Sequence, residues 1–360
     1  MEEDGDELPS VQKAAVIQNP GPNASIVVQH NVPVGTPGPH EVLVRISATG
    51  VCGSETRAFR GWGVYDPIVG HEGIGRIVKL GPGVPEELLG QKVGVKWLYS
   101  ACGTCSVCIR GHQNNCPKQL NTGKHRPGTL QQYVVADSRY VTRIPDGLPD
   151  AEVAPLLCAG LTMMGAVSKL EGDLSPGDWV VIQGAAGGLG HLGVQIASRL
   201  RGYRVIAVDS SGHDQFCRDN GAESFIDYTK EDVEKKVMEL TGEGAHAVLV
   251  VPESEDAYIT APKLVRSMGT IVCVGLPRND FDLPIPVTLC ALKGEFFLRS
   301  SLNVKGAMVG TEDEMSELLR EAVKGRIRAS VEYFHLQQTE EIVGQLMNGD
   351  MFGRAVITSI

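Results

Sequence analysis

The sequence predicts an α/β protein in two parts, a β-rich part first and an open, mostly parallel sheet after it. Three observations carry this. A glycine-rich turn sits between an apolar run and a helical pattern in WVVIQGAAGGLGHLGVQIASRLRGYRVIAVD, residues 179–209. Strand-like and helix-like runs go on alternating beyond it. Before residue 150 the texture differs: short alternating runs such as 41–46 and 132–141 are broken by Gly and Pro. A chain of 360 residues, 42% of them hydrophobic, is long and apolar enough for two cores.

The second part is the more regular. Residues 179–182 read as a strand. Gly184, Gly187, Gly188, Leu189 and Gly190 form the turn, and the apolar positions of 188–200 suit a helix packed on a sheet. Residues 204–208 are the next strand. Glycines in such a turn let a diphosphate approach the backbone at a helix N-terminus. GAAGGLG is a variant of G-x-G-x-x-G, and its place between strand and helix is what gives it weight. Asp209 ends the second strand, about 20 residues past the glycines, where a carboxylate accepts hydrogen bonds from an adenosine ribose and repels a 2′-phosphate. The unit therefore predicts a dinucleotide site and favours NAD over NADP. Further strands are expected at 223–226, 245–251, 270–274 and near 304–309. A helix is expected at 230–240, where Val233, Val237 and Leu240 fall at helical spacing.

The first part carries the metal chemistry. ACGTCSVCIRGHQNNC, residues 101–116, spaces Cys102, Cys105, Cys108 and Cys116 as C-x2-C-x2-C-x7-C. Zinc takes four soft ligands in a tetrahedron, and a short loop can wrap them around one ion. Gly103 and Gly111 relax the backbone at the turns. An iron–sulfur cluster is a rival, because C-x2-C-x2-C also opens ferredoxin-like motifs. Disulfides suit a cytoplasmic chain poorly. Four thiolates would leave no open position, so this metal would hold structure, contributing about 10–16 kcal/mol by analogy with zinc peptides. Three more groups, Cys52, His71 and Cys158, sit among apolar and Gly residues. Two Cys and one His make one of the catalytic zinc sets, although spacing alone does not join these three. Glu72 could support that set or bind the metal transiently.

Charge and composition exclude other classes. The net charge is −10, which argues against nucleic acid as the main partner. No apolar run approaches the length of a membrane helix. The start, MEEDGDELPS, lacks the basic and apolar regions of a secretory leader and reads as a solvated acidic tail over residues 1–10. The expected compartment is the cytoplasm.

Taken in order, GVCGSE, GHEGIG, GVKWL, CGTCSVCIRGHQNNC, APLLCAGLT, GAAGGLG, VIAVD and GRAVI resemble the zinc-dependent medium-chain alcohol dehydrogenases, especially their yeast-like branch. The resemblance runs from about residue 14 to the C-terminus. It implies a GroES-like β-rich catalytic domain, residues 1–159 and 311–360, and a Rossmann domain with a doubly wound parallel sheet, residues 160–310. It implies Cys52, His71 and Cys158 as catalytic zinc ligands, Cys102, Cys105, Cys108 and Cys116 as structural ones, and hence two zinc ions per chain. Ser54 matches the hydroxyl that takes the alcohol proton. Phe59, Trp62 and Trp97 fall where this branch lines its substrate pocket. Thr162 matches a residue beside the nicotinamide, and Arg354 one that approaches the pyrophosphate. A homodimer or homotetramer is implied, with a small alcohol or carbonyl compound as substrate.

The chain departs from that pattern at three positions. Gly53 stands where relatives often carry a basic phosphate contact. Glu55 replaces an Asp expected to pair with Arg354. Arg57 replaces the His that ends the proton relay, and is expected to approach the cofactor phosphates instead. The segment 281–310 looks longer than its yeast-like equivalent. Cys217, Cys273 and Cys290 match no metal motif. The function expected is reversible hydride transfer between NAD and a primary or secondary alcohol, small to medium and fairly apolar. The departures keep open a specialised carbonyl reductase of secondary metabolism. A non-catalytic binding or structural protein on this scaffold is opposed by the complete ligand set. A polyol dehydrogenase is disfavoured because such relatives often place a carboxylate where Cys158 stands.

Overall fold

The computed structural model describes residues 8–277, 281–283, 285 and 301–360. Residues 1–7 of the acidic start, Cys290 and most of the 281–310 segment lie outside the described residues. The chain divides into two compact units, residues 1–158 with 330–360, and residues 159–329.

In the first unit, alternating apolar residues build a seven-stranded mixed sheet among the described residues. Its order is Val331–His335, Arg354–Ser359, Glu41–Val51, Gly73–Leu80, Lys92–Val95 and Thr142–Arg143, with Tyr133–Asp137 also paired to Glu41–Val51. Val42, Val44, Ile46, Ile77, Val93, Val95 and Val134 are buried together on one face. Glu41–Val51 and Gly73–Leu80 run antiparallel with Thr49 opposite Gly73. Ala355 and Val356 of the closing strand face Val51 and Gly50. This register gathers residues 50–52, 71–72 and 354 at one end of the sheet.

In the second unit six described strands form a parallel sheet. Its order is Ser224–Asp227, Arg204–Asp209, Trp179–Gln183, Ala245–Val250, Val265–Cys273 and Asn303–Gly306. The chain builds outwards from Trp179–Gln183 and then crosses back to Ala245–Val250. That reversal makes the crevice beyond the strand ends in which doubly wound sheets bind ligands. Val181, Ile206, Val248 and Ile271 form the floor of its core. The expected helix 188–200 is present but changes type: α-helix covers Gly190–Gln195 and a π-helical turn covers Ile196–Leu200.

The return to the first unit falls at 330, later than the 311 expected from the sequence. The reason is packing. The helix Glu312–Val323 buries Met315, Leu318 and Leu319 and lies against the helix Ala159–Ser168. Gly165 permits that approach, since a Cβ there would stand 2.4 Å from the Val309 carbonyl oxygen.

Candidate active site

Four side chains from three places meet at the end of the first unit's sheet. Cys52 leaves the strand Glu41–Val51, His71 and Glu72 enter the strand Gly73–Leu80, and Cys158 follows the turn Ala154–Leu157. All four are buried, and one ligand atom from each lies within 4.8 Å of the others. Cys52 Sγ is 3.8 Å from Cys158 Sγ, and His71 Nε2 is 3.3 Å from Cys158 Sγ. Zinc–sulfur bonds of about 2.3 Å at a tetrahedral angle separate two sulfurs by about 3.8 Å, so the thiol pair has the spacing zinc demands. Both thiols are free rather than bridged.

The surrounding charges order this set. Glu55 Oε1 lies 3.0 Å from His71 Nδ1. The hydrogen bond from Cys158, helped by His71 and Arg354 and opposed by burial, holds the Cys52 thiol well below its usual range. The same bond to Cys52, together with burial, pushes Cys158 up. Burial pulls His71 down, but Glu55 and Cys52 outweigh it and raise the imidazole well above its ordinary value. Burial pushes Glu72 up to about 7 against the pull of Arg354.

Arg354 does not pair with Glu55 as the resemblance implies. It is buried, and its guanidinium donates to Glu72. Arg354 thus pairs with Glu72 and keeps a buried Nε without a partner, while Glu55 pairs with His71. The register explains both. Arg354 starts the strand that pairs beside Gly50, and a Cβ on Gly50 would stand 2.0 Å from Glu72 Oε2. Only glycine leaves room for that carboxylate.

The other predicted residues fall as follows. Ser54 precedes the helix Glu55–Phe59, half-buried, and its side chain makes no capping bond. Trp97 meets His71 edge to face, with ring centres 5.1 Å apart. Phe59 is half-buried, whereas Trp62 is 36% exposed beneath the guanidiniums of Arg57 and Arg60.

The second cysteine set is equally compact. Cys102, Cys105, Cys108 and Cys116 bring their sulfurs within 4.8 Å of one another. Cys102 Sγ lies 3.5 Å from Cys116 and 3.9 Å from Cys108, and Cys105 Sγ lies 4.0 Å from Cys116. Gly103 and Gly111 take φ of 70° and 83°, the left-handed turns the loop needs. The N–H groups of Thr104 and Cys105 bring Cys102 down to about 6. Burial and the neighbouring thiols push Cys108 up to about 12. The backbone amide of Lys118 donates to Cys116 Sγ at 3.4 Å. Four free thiols without a bridge, held at metal-ligand spacing, fit zinc.

In the second unit Gly184 has φ of 70°, and a Cβ on Gly190 would stand 2.0 Å from the Gly184 carbonyl oxygen. Gly187, Gly188 and Leu189 complete the turn, with Leu189 capping the helix Gly190–Gln195. Asp209 accepts from the amides of Ala186 and Ser210, each at 2.8 Å, and lies 2.9 Å from His213 Nδ1. A cleft of about 440 Å³ opens beside it, lined by Gln183, Gly184, Val208, Asp209, Tyr228 and Asp256 among others. Tyr228 and Asp256 escaped the sequence reading. Tyr228 follows Asp227, which stands opposite Asp209 in the sheet, so strand-end alignment was the available signal. Thr162 is half-buried on the helix Ala159–Ser168.

Comparison with known proteins agrees with this geometry. Residues 38–146 match the alcohol dehydrogenase GroES-like domain, and residues 188–324 match the zinc-binding dehydrogenase family. Alcohol dehydrogenase 2 of Emericella nidulans is 40% identical, covering 98% of both chains. An alcohol dehydrogenase of Geobacillus stearothermophilus is 40% identical over 88% of this chain and 91% of its own. Among solved structures, acetophenone reductase from Geotrichum candidum in complex with NAD superposes with a TM-score of 0.82 at 27% identity, covering 98% of each chain. The chain belongs to the zinc-dependent medium-chain alcohol dehydrogenases, enzymes that exchange a hydride between an alcohol and NAD.

Proposed function

We propose that this enzyme converts primary or secondary alcohols, small to medium and fairly apolar near the carbinol carbon, into aldehydes or ketones, and that it runs in both directions. Cys52, His71 and Cys158 would hold a catalytic zinc, and Cys102, Cys105, Cys108 and Cys116 a structural one. The observation that carries the reading is the first set: three buried soft ligands beside a carboxylate, Glu72, that Arg354 holds. Three ligands leave one coordination position open, the mark of a catalytic site.

When bound, zinc supplies Lewis acidity that acidifies an alcohol or polarises a carbonyl, and NAD accepts or returns the hydride. The chain supplies the rest. Glu55 orients His71. Ser54 would accept the proton of the substrate hydroxyl while its own passes on toward the cofactor ribose. Trp97, edge to face with His71, presents an apolar wall that keeps water from the reacting carbon. Asp209 receives the adenosine ribose hydroxyls, and the Gly184–Gly190 turn holds the diphosphate. Thr162 would lie beside the nicotinamide, while Phe59 and Trp62 contribute to the pocket. A homodimer or homotetramer in the cytoplasm fits the family.

NADH formation with a panel of primary and secondary alcohols, run beside metal analysis, tests the proposal. Turnover with about two zinc ions per chain supports it. A fully zinc-loaded protein that forms no NADH with any alcohol, and consumes none with any carbonyl compound, overturns it.

A further inference from the structure

Beside the Cys52 turn the chain gathers cations that form no ion pair with a carboxylate among the described residues. The helix Glu55–Phe59 carries Arg57, and Arg60 ends it. Their guanidinium carbons lie 5.9 Å and 4.9 Å from the centre of the Trp62 ring. Lys124 Nζ lies 5.4 Å from the ring of Tyr65, and the Tyr65 hydroxyl faces Arg57 while lying within the field of Cys52 and Glu55. Among the described residues none of Arg57, Arg60 and Lys124 forms an ion pair. Of the carboxylates in this stretch, Glu55 holds His71 through Oε1 and keeps a buried, unpartnered Oε2, and Asp66 accepts from the Ile68 amide. The Arg57 guanidinium hydrogen-bonds the Tyr65 hydroxyl, yet its buried Nη1 has no partner among the described residues. A buried N–H without an acceptor is costly unless a ligand provides one. In a chain of net charge −10, such a cluster beside the metal ligands is not a general surface property.

We infer that the substrate carries an anionic end group, a carboxylate or phosphate, which Arg57 binds through Nη1 while Arg60 and Lys124 add to the field. This deepens the hydride-transfer reading above and rests on it. The anionic oxygens sit against the guanidinium of Arg57, whose planar fork matches them. The rings of Trp62 and Tyr65 flank the apolar stem that joins this group to the reacting carbon.

The test is NADH oxidation by the zinc-loaded enzyme with ω-oxo carboxylates of about three to six carbons and with n-alkanals of the same lengths. Wild type should favour the oxo acid at its best length by at least about tenfold in kcat/KM, and added salt should erode the preference. Arg57→Gln should cut that ratio about tenfold, with Arg57→Lys falling between. Should Arg57→Gln fail to fold, Lys124→Gln carries the test: a reduced ratio supports the inference and an unchanged one overturns it. A wild-type ratio at or below one at every length overturns it. So does an unchanged ratio in Arg57→Gln with a raised KM for NAD, which would give the anion site to the cofactor diphosphate. Failure of the hydride-transfer reading itself looks different, because then no aldehyde of either series oxidises NADH.

Discussion

Nδ1 of His71 lies 3.0 Å from Oε1 of Glu55, with both side chains buried. In the zinc-bound state this contact would keep the proton on Nδ1 and free Nε2, 3.3 Å from Cys158 Sγ, as the ligand atom. Glu55 comes three residues after Cys52, so one short turn supplies a ligand and orients another. Partners of this kind typically affect metal affinity by about 10–100-fold. Glu55→Ala is expected to weaken zinc binding in that range, and Glu55→Asp to fall between. Competition with a chromogenic chelator measures it. Unaltered affinity in Glu55→Ala would mean that packing alone orients the ring.

The two metal sets should fail in different ways. Cys158→Ala is expected to abolish turnover and leave a folded protein with about one zinc, because the remaining four-thiol set is closed. Cys105→Ala is expected to destabilise the fold or its assembly. Metal analysis with thermal unfolding separates them. A full metal load and wild-type activity in Cys158→Ala would remove it from the catalytic set.

Thiol reactivity gives a pH-dependent check on the structural loop. The thiolate is the nucleophile. With Cys102 held near pKa 6 by two backbone N–H groups, it should label first among the loop thiols of the zinc-free protein. The rate should climb as pH rises through about 6 and level off above it. Cys108 and Cys217, both pushed up to about 12 and both led by burial, should stay unlabelled at neutral pH. Iodoacetamide labelling with peptide mass mapping, with and without zinc, reads the order. Labelling of Cys217 before Cys102 would contradict it.

Cofactor choice should rest on Asp209. A 2′-phosphate would meet its charge, and the ribose hydroxyls lose their acceptor in Asp209→Ala. About 1.4 kcal/mol is a factor of ten. The substitution is expected to cut the NAD/NADP ratio of kcat/KM at least about tenfold. A wild-type enzyme that prefers NADPH would refute the assignment.

What the sequence makes legible is local. The strand at Trp179–Gln183, the glycine turn and the four-cysteine loop are each written within a few residues, and the structure holds them where the spacing places them. What it hides is register. The partner of Arg354 is 282 residues away, and choosing Glu72 over Glu55 requires knowing that residue 355 faces Val51 while Thr49 faces Gly73. The π-turn at Ile196–Leu200 leaves the apolar pattern of a helix intact, so periodicity does not reveal it. The cleft residues Tyr228 and Asp256 come together only when parallel strand ends are stacked.

Resemblance to the family routes the substrate proton through Ser54 and the cofactor ribose to a histidine, and here Arg57 stands at that place. A guanidinium is not deprotonated in proteins, so arginine cannot accept that proton. Its guanidinium instead lies over the Trp62 ring, 5.9 Å from the centre. The proton must then pass from the ribose to water. The pH profile of single-turnover hydride transfer in wild type is expected to lack an ionisation from this position. Arg57→His should add one near the histidine reference of about 6.5, with the rate falling below it as the imidazole takes up its proton and can no longer accept one. Arg57→Gln should leave the shape of the profile unchanged. NADH absorbance in stopped flow across pH reads all three enzymes. A slowed proton release in Arg57→Gln, with NAD binding intact, would return Arg57 to the relay.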